Sequence, residues 1–161
     1  MKKKTYFFVF SGGKRDIYDS DYGRVAKIMY NEVIRYNEQG TYYPMWGTCL
    51  GFQALCLLAA KKEKSKVPFL NEVWAKKKMM PVTFTEKALT SKLLKKASWN
   101  LIQAMSNQNV SIHNHKYGLI PEQFQKYKSL GDTLDILATG LGDNRVPFAS
   151  IVEGKYNDVR I

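Results

Sequence analysis

One pentapeptide, Gly47-Thr48-Cys49-Leu50-Gly51, constrains this chain more than any other segment. It separates the apolar stretch 42–46 from the longer apolar stretch 52–60. Glycines at both ends permit a backbone bend that larger residues would block. Strand, tight turn and helix, in that order, is how an α/β sheet raises one side chain above the carboxyl ends of its strands. Gly-x-Cys-x-Gly is the thiol counterpart of the Gly-x-Ser-x-Gly elbow. A cysteine there would sit at the positive end of a helix dipole, which favours thiolate over thiol. The amide of Leu50 would point to where an oxyanion forms. The pentapeptide alone also suits a buried structural cysteine in a tight turn.

The flanking sequence extends the α/β pattern. Tyr6 to Phe10 is a continuous apolar run of the kind found in a parallel strand covered on both faces. Ser11-Gly12-Gly13 ends it with a flexible turn. Ser20 or Asp21 can cap a following helix, in which Val25, Ile28, Met29 and Tyr36 fall in step and which Gly40 stops. Tyr42 to Trp46 reads as a second strand, with Pro44 arguing against an interior position. The stretch from Lys61 to Met80 reads as basic and irregular, and Pro81 to Thr85 as a strand. Leu93, Leu94, Ala97, Leu101 and Met105 fall in step for a helix over 90–105. Val110 to His115 reads as a short strand. Thr133 to Thr139 and Val146 to Val152 read as two strands joined by a turn at Gly140 to Asn144. No repeat or linker divides the chain, so 1–161 reads as a single domain.

Composition narrows the function classes. With 45% hydrophobic and 13% aromatic residues, the chain can bury a core. Its apolar runs, such as Leu55 to Ala60, are too short to cross a bilayer, so no membrane partner is expected. Met1-Lys2-Lys3-Lys4 followed by Tyr6 to Phe10 lacks the length and cleavage site of a secretory leader. The net charge is +11, much of it in Lys61-Lys62, Lys76-Lys77-Lys78 and Lys95-Lys96. That charge reads first as a solvated basic surface and second as a field drawing an anionic ligand. Nucleic acid comes last, because no zinc finger, RNA-binding signature or basic heptad accompanies it. Cys49 and Cys56 on one helix would have Cα atoms roughly 10 Å apart, too far for a disulfide. His113 and His115 have no second ligand pair at zinc spacing, so neither a metal nor another cofactor is expected.

Pro44-Met45-Trp46-Gly47-Thr48-Cys49-Leu50-Gly51-Phe52 closely resembles the nucleophile motif of the gamma-glutamyl hydrolases, a branch of the class I glutamine amidotransferase-like superfamily. Other segments match that family in order. They are Phe10-Ser11-Gly12-Gly13, with Ser11 where the family has proline, then Ser20-Asp21-Tyr22 with Val25-Ala26-Lys27-Ile28, then Asn114-His115-Lys116-Tyr117, then Ile151-Val152-Glu153-Gly154. The resemblance implies a flavodoxin-like α/β sandwich with a mostly parallel central sheet. It also implies a thiol hydrolase acting on folyl or antifolate poly-gamma-glutamates. Cys49 would be the nucleophile, Leu50 with Gly12 or Gly13 would supply the oxyanion hole, and His115 would contact substrate. The basic charge would suit a polyanionic poly-gamma-glutamate tail. Family members are usually lysosomal, vacuolar or secreted. His113 has no family counterpart and reads as incidental.

The sequence also departs from the family. Gln53 stands where several relatives carry an acidic residue. The family's later Gln-Trp-His-Pro-Glu-like segment, source of the general base and its Glu partner, is not present, and the chain ends at Asp158-Val159-Arg160-Ile161. The first βα unit and last strands of the fold are therefore expected to be missing, leaving sheet edges for a homodimer or partner chain to cover. Three functions compete. One is a gamma-glutamyl hydrolase, whole or truncated, with His113 or His115 conceivable as a replacement base. The second is a catalytically dead paralogue acting as a binding or scaffold protein. The third is a glutaminase subunit of the same superfamily.

Overall fold

The computed structural model describes residues 7–61 and 69–155. Tyr6, the Met1 to Lys4 segment, Lys62 and Asp158 to Ile161 lie outside the described residues. The elements run β1 (Phe8–Phe10), α1 (Asp21–Glu38), β2 (Met45–Gly47), α2 (Leu50–Ala59), β3 (Asn71–Met80), β4 (Thr83–Phe84), α3 (Glu86–Thr90), α4 (Trp99–Asn107), β5 (Ser111–Gly118), α5 (Pro121–Lys126), α6 (Lys128–Thr133), β6 (Leu134–Leu141) and β7 (Pro147–Gly154). The class is mixed α/β, as the sequence suggests.

The first half is a β-α-β-α unit. β1 and β2 pair in parallel, Phe8 with Met45 and Phe10 with Gly47. A parallel pair needs a crossover, and α1 supplies it. The Ser20 hydroxyl caps α1 by accepting from the Gly23 amide at 3.2 Å. At its far end the left-handed Gly40, at φ 81°, lets the chain turn back. Asn37, buried in the last turn, donates to the Tyr43 carbonyl and accepts from the Tyr43 amide, fixing the approach to β2. Pro44 falls just before β2, where its missing donor costs no ladder bond.

α2 is apolar on nearly every side and accordingly buried. One flank carries Leu55 into a cluster with Phe10, Ala26, Val33 and Met45. The other carries Cys56, Leu57, Ala59 and Ala60 against Phe69, Leu119, Leu130 and Leu134. Removing these side chains from water at roughly 25 cal/mol per Å² holds α2 between the layers.

The sheet arrangement differs from the expected mostly parallel central sheet. Among the described residues the strands form three small sheets, β1-β2, β3-β5 and β4-β6-β7. Only β1-β2 is parallel, while β3-β5, β4-β6 and β6-β7 are antiparallel. The turn between β6 and β7 makes a hairpin, and hairpins impose antiparallel pairing.

Asn71–Met80, read as irregular, is the strand β3. The strand expected over 81–85 shrinks to Thr83–Phe84, and of the helix expected over 90–105 only the part from Trp99 onward is helical, as α4, with α3 ending at Thr90. In α1, Val25 and Ile28 face solvent, while Gly23, Ala26, Val33 and Asn37 face inward.

Candidate active site

The elbow between β2 and α2 is built by backbone contacts that only glycine tolerates. A Cβ on Gly51 would lie 1.9 Å from the Phe10 carbonyl oxygen. One on Gly47 would lie 2.7 Å from backbone atoms of Gly51 and Phe52. The Thr48 amide donates to the same Phe10 carbonyl at 3.0 Å, locking β1 to the bend. The Trp46 indole donates to the Thr48 hydroxyl at 3.0 Å. Cys49 occupies the apex with φ 56° and ψ −109°, a conformation few side chains adopt, and forms the N-cap of α2. Such strain persists only when the surroundings over-determine it, and it concentrates at functional positions.

Cys49 is exposed and Cys56, two turns on, is buried. Burial pushes the Cys56 thiol far above its ordinary range, which makes it a packing residue. The two cysteines are both free thiols. The reading of Cys49 as a buried structural cysteine therefore does not hold.

The Ser11-Gly12-Gly13 turn lies directly over the elbow. A Cβ on Gly12 would meet the Cys49 Cβ at 3.2 Å and Sγ at 3.7 Å. One on Gly13 would meet the Leu50 side chain at 3.6 Å. Cys49, Leu50, Gly12 and Gly13, four of the five candidate residues, thus come together. Tyr22, in the first turn of α1, donates its hydroxyl to the Ser11 carbonyl at 3.0 Å. Burial raises the Tyr22 phenol, with a further contribution from Cys49.

His115 sits on β5, half-buried. The Gln53 amide, one turn into α2, donates to the Tyr117 carbonyl at 2.9 Å and ties β5 to the nucleophile helix. Gln53 thus has a role that its replacement of an acidic residue did not suggest, because a carboxylate could not donate there. His115 Nε2 lies 3.4 Å from His113 Nδ1, and both rings meet Phe148 edge-on. The remaining nitrogens, His113 Nε2 and His115 Nδ1, are buried without a hydrogen-bond partner. None of the four ring nitrogens bonds Cys49, so the geometry gives no support to either histidine as a replacement base. His113, read as incidental, is 8% exposed and part of a buried pair. Burial, then the neighbouring His115, lowers its pKa to about 4. Burial lowers His115 as well. Among the described residues no cluster of three or more His, Cys, Asp or Glu could hold a metal.

A cavity of about 730 Å³ lies beyond the elbow. Its walls include Pro44 to Gly47 of the β2 segment and Ser150 to Gly154 of β7, in unbroken runs. A strand face would contribute alternate residues, so both strands present their edges to it. Phe52, Leu55 and Leu101 make much of the rest apolar. Cys49, Gly12 and His115 are not among its lining residues, so this cavity is not formed around the thiol.

Comparison with known proteins bears on this site. No family model matches the chain. A mouse gamma-glutamyl hydrolase is 33% identical over 146 residues, covering 90% of this chain and 44% of the mouse protein. The human gamma-glutamyl hydrolase is 33% identical over 149 residues, 92% of this chain and 45% of its own length. The chain is homologous to the gamma-glutamyl hydrolases. Gamma-glutamyl hydrolase B of Dictyostelium discoideum is 29% identical over 134 residues, 83% of this chain and 38% of that protein. The chain thus spans less than half the length of these gamma-glutamyl hydrolases. No helix of the described residues is long and apolar enough to cross a membrane.

Proposed function

We propose that this chain carries the thiol site of a gamma-glutamyl hydrolase, cleaving gamma-glutamyl bonds of folyl poly-gamma-glutamates through a cysteine thioester. The observation that carries the reading is the exposed Cys49 held at positive φ on the N-terminus of α2, against Gly12. Cys49 Sγ attacks the gamma-amide carbonyl. The carbon–sulfur bond forms, the π electrons move onto oxygen, and the amides of Leu50 and of the Gly12-Gly13 turn receive the charge. The thiol proton passes to solvent, the oxyanion collapses as the carbon–nitrogen bond breaks, the amine leaves with a proton from solvent, and water hydrolyses the thioester to a γ-carboxylic acid and the free thiol. The +11 chain attracts the substrate's row of ionised α-carboxylates. The reading brings with it the glutamine amidotransferase-like sandwich, with β1, α1, β2 and α2 as its parallel part.

The direct test is hydrolysis of a folyl penta-gamma-glutamate by the full chain, followed by mass spectrometry. Shortened products are expected, and Cys49→Ala lowers the rate at least about a thousandfold. Equal turnover by Cys49→Ala, or no turnover by either protein, contradicts the reading.

A further inference from the structure

The oxyanion side of the site depends on the orientation of one peptide group. Gly12 lies beside Cys49, so close that a Cβ on it would meet the Cys49 Cβ at 3.2 Å, and its amide belongs to the same planar unit as the Ser11 carbonyl. In a trans peptide the C=O and N–H bonds point in opposite directions, so fixing one fixes the other. Turning the unit over would place a carbonyl oxygen, which cannot donate, where the amide had been. Glycine resists such rotation less than any other residue, and Gly12 is followed by another glycine.

From this geometry we infer that Tyr22 is a positioning residue for the oxyanion hole, holding the Ser11–Gly12 peptide so that the Gly12 amide faces the carbon under attack. The inference rests on the gamma-glutamyl hydrolase reading of the site. Its support is the hydrogen bond from the Tyr22 hydroxyl to the Ser11 carbonyl at 3.0 Å. With that carbonyl held toward Tyr22, the Gly12 N–H points the other way. α1 anchors the phenol from below. The Ser20 cap fixes its first turn, and Gly23, beside Tyr22, is pressed so tightly on Ile17 that a Cβ would lie 2.5 Å from the Ile17 carbonyl oxygen. Burial raises the phenol pKa, with a contribution from Cys49, so Tyr22 keeps its proton and remains a donor through neutral pH.

The test uses N-acetylglutamate γ-semialdehyde as a reversible mimic of the tetrahedral species. Cys49 Sγ adds to the aldehyde carbon, the carbonyl π bond breaks, the thiol proton leaves to water, and the oxygen bears the charge or takes a solvent proton. N-acetyl-5-hydroxynorvaline, the corresponding alcohol with no carbonyl for the thiol to attack, serves as a ligand that develops no oxyanion. Tyr22→Phe keeps the ring and removes only the hydroxyl. It is expected to weaken aldehyde binding roughly tenfold, the effect of losing one well-placed hydrogen bond. Binding of N-acetyl-5-hydroxynorvaline, the urea midpoint and the rate of iodoacetamide alkylation at Cys49 should all stay within twofold or experimental error. Equal aldehyde affinity in wild type and Tyr22→Phe overturns the assignment, as does an equal loss for both ligands, which would mark a merely structural role. Absence of a wild-type adduct on Cys49 would overturn the hydrolase reading itself, and the Tyr22 assignment with it.

Discussion

Gly51→Ala is expected to lower the unfolding free energy by about 3 kcal/mol, the upper part of the range for overpacking a buried position. The added Cβ would lie 1.9 Å from the Phe10 carbonyl oxygen and 2.5 Å from its carbon. Both are backbone atoms of β1, so no side chain can swing aside. Relief requires α2 to move away from β1, which breaks the bond from the Thr48 amide to the same carbonyl and opens the cluster of Phe10, Met45 and Leu55. Gly40→Ala is the proper comparison. Gly40 is left-handed at φ 81° with nothing within 4 Å of a new Cβ, so its cost is only the strain of that conformation, about 1 kcal/mol. Urea unfolding of the two variants beside wild type measures the difference. A Gly51→Ala penalty no larger than that of Gly40→Ala would mean that the elbow is not packed as described.

Acidification should destabilise the fold through His113. Its pKa is about 4 in the folded chain against 6.5 for the free side chain. Between those values the unfolded chain takes up a proton that the folded chain refuses. Stability is therefore full above about pH 6.5, falls as the pH drops toward 4, and levels below it. At 1.36 kcal/mol per unit the loss is roughly 3 kcal/mol. His115, also depressed, acts in the same direction. The cause is geometric. The two imidazoles face each other and the apolar ring of Phe148, with no carboxylate hydrogen-bonded to either. His113→Leu should flatten most of the dependence between pH 7 and pH 4.5 in urea titrations. An unchanged slope in that variant would assign the acid sensitivity elsewhere.

The elbow was legible because its requirements are local. Two glycines around one cysteine, between two apolar runs, specify a bend whatever the remainder of the chain does, and the clashes at Gly47 and Gly51 show why. The position of Gly12 beside Cys49 was readable only through the family motif, since residues so far apart in sequence meet by pairing of β1 with β2. Long-range features were not legible. β3 carries Lys76, Lys77 and Lys78, a composition that resembles a loop. It tolerates them as a strand because the register shifts around Ala75, with Trp74 and Lys77 at positive φ, turn the chain out of regular alternation. Lys78 finds Asp143 at 3.0 Å and Lys116 finds Glu72 at 2.8 Å, pairings that local composition does not reveal. In α1 the periodic Val25 and Ile28 suggested the wrong face. The inward face is marked instead by the small Gly23 and Ala26, which allow close approach, and by Asn37, whose amide satisfies the backbone of Tyr43. His113 became meaningful only once Phe148 was known to lie against it.

On the gamma-glutamyl hydrolase reading, Cys49 alone presents a reactive thiol, at a place where a gamma-glutamyl chain binds. Iodoacetamide footprinting of the native chain at neutral pH, with and without a poly-gamma-glutamate, tests it most directly. Peptide mapping should find Cys49 carboxamidomethylated, Cys56 unmodified until the protein unfolds, and the Cys49 rate reduced by the ligand. Modification of Cys56 at a comparable rate, or a Cys49 rate indifferent to saturating ligand, would contradict the account.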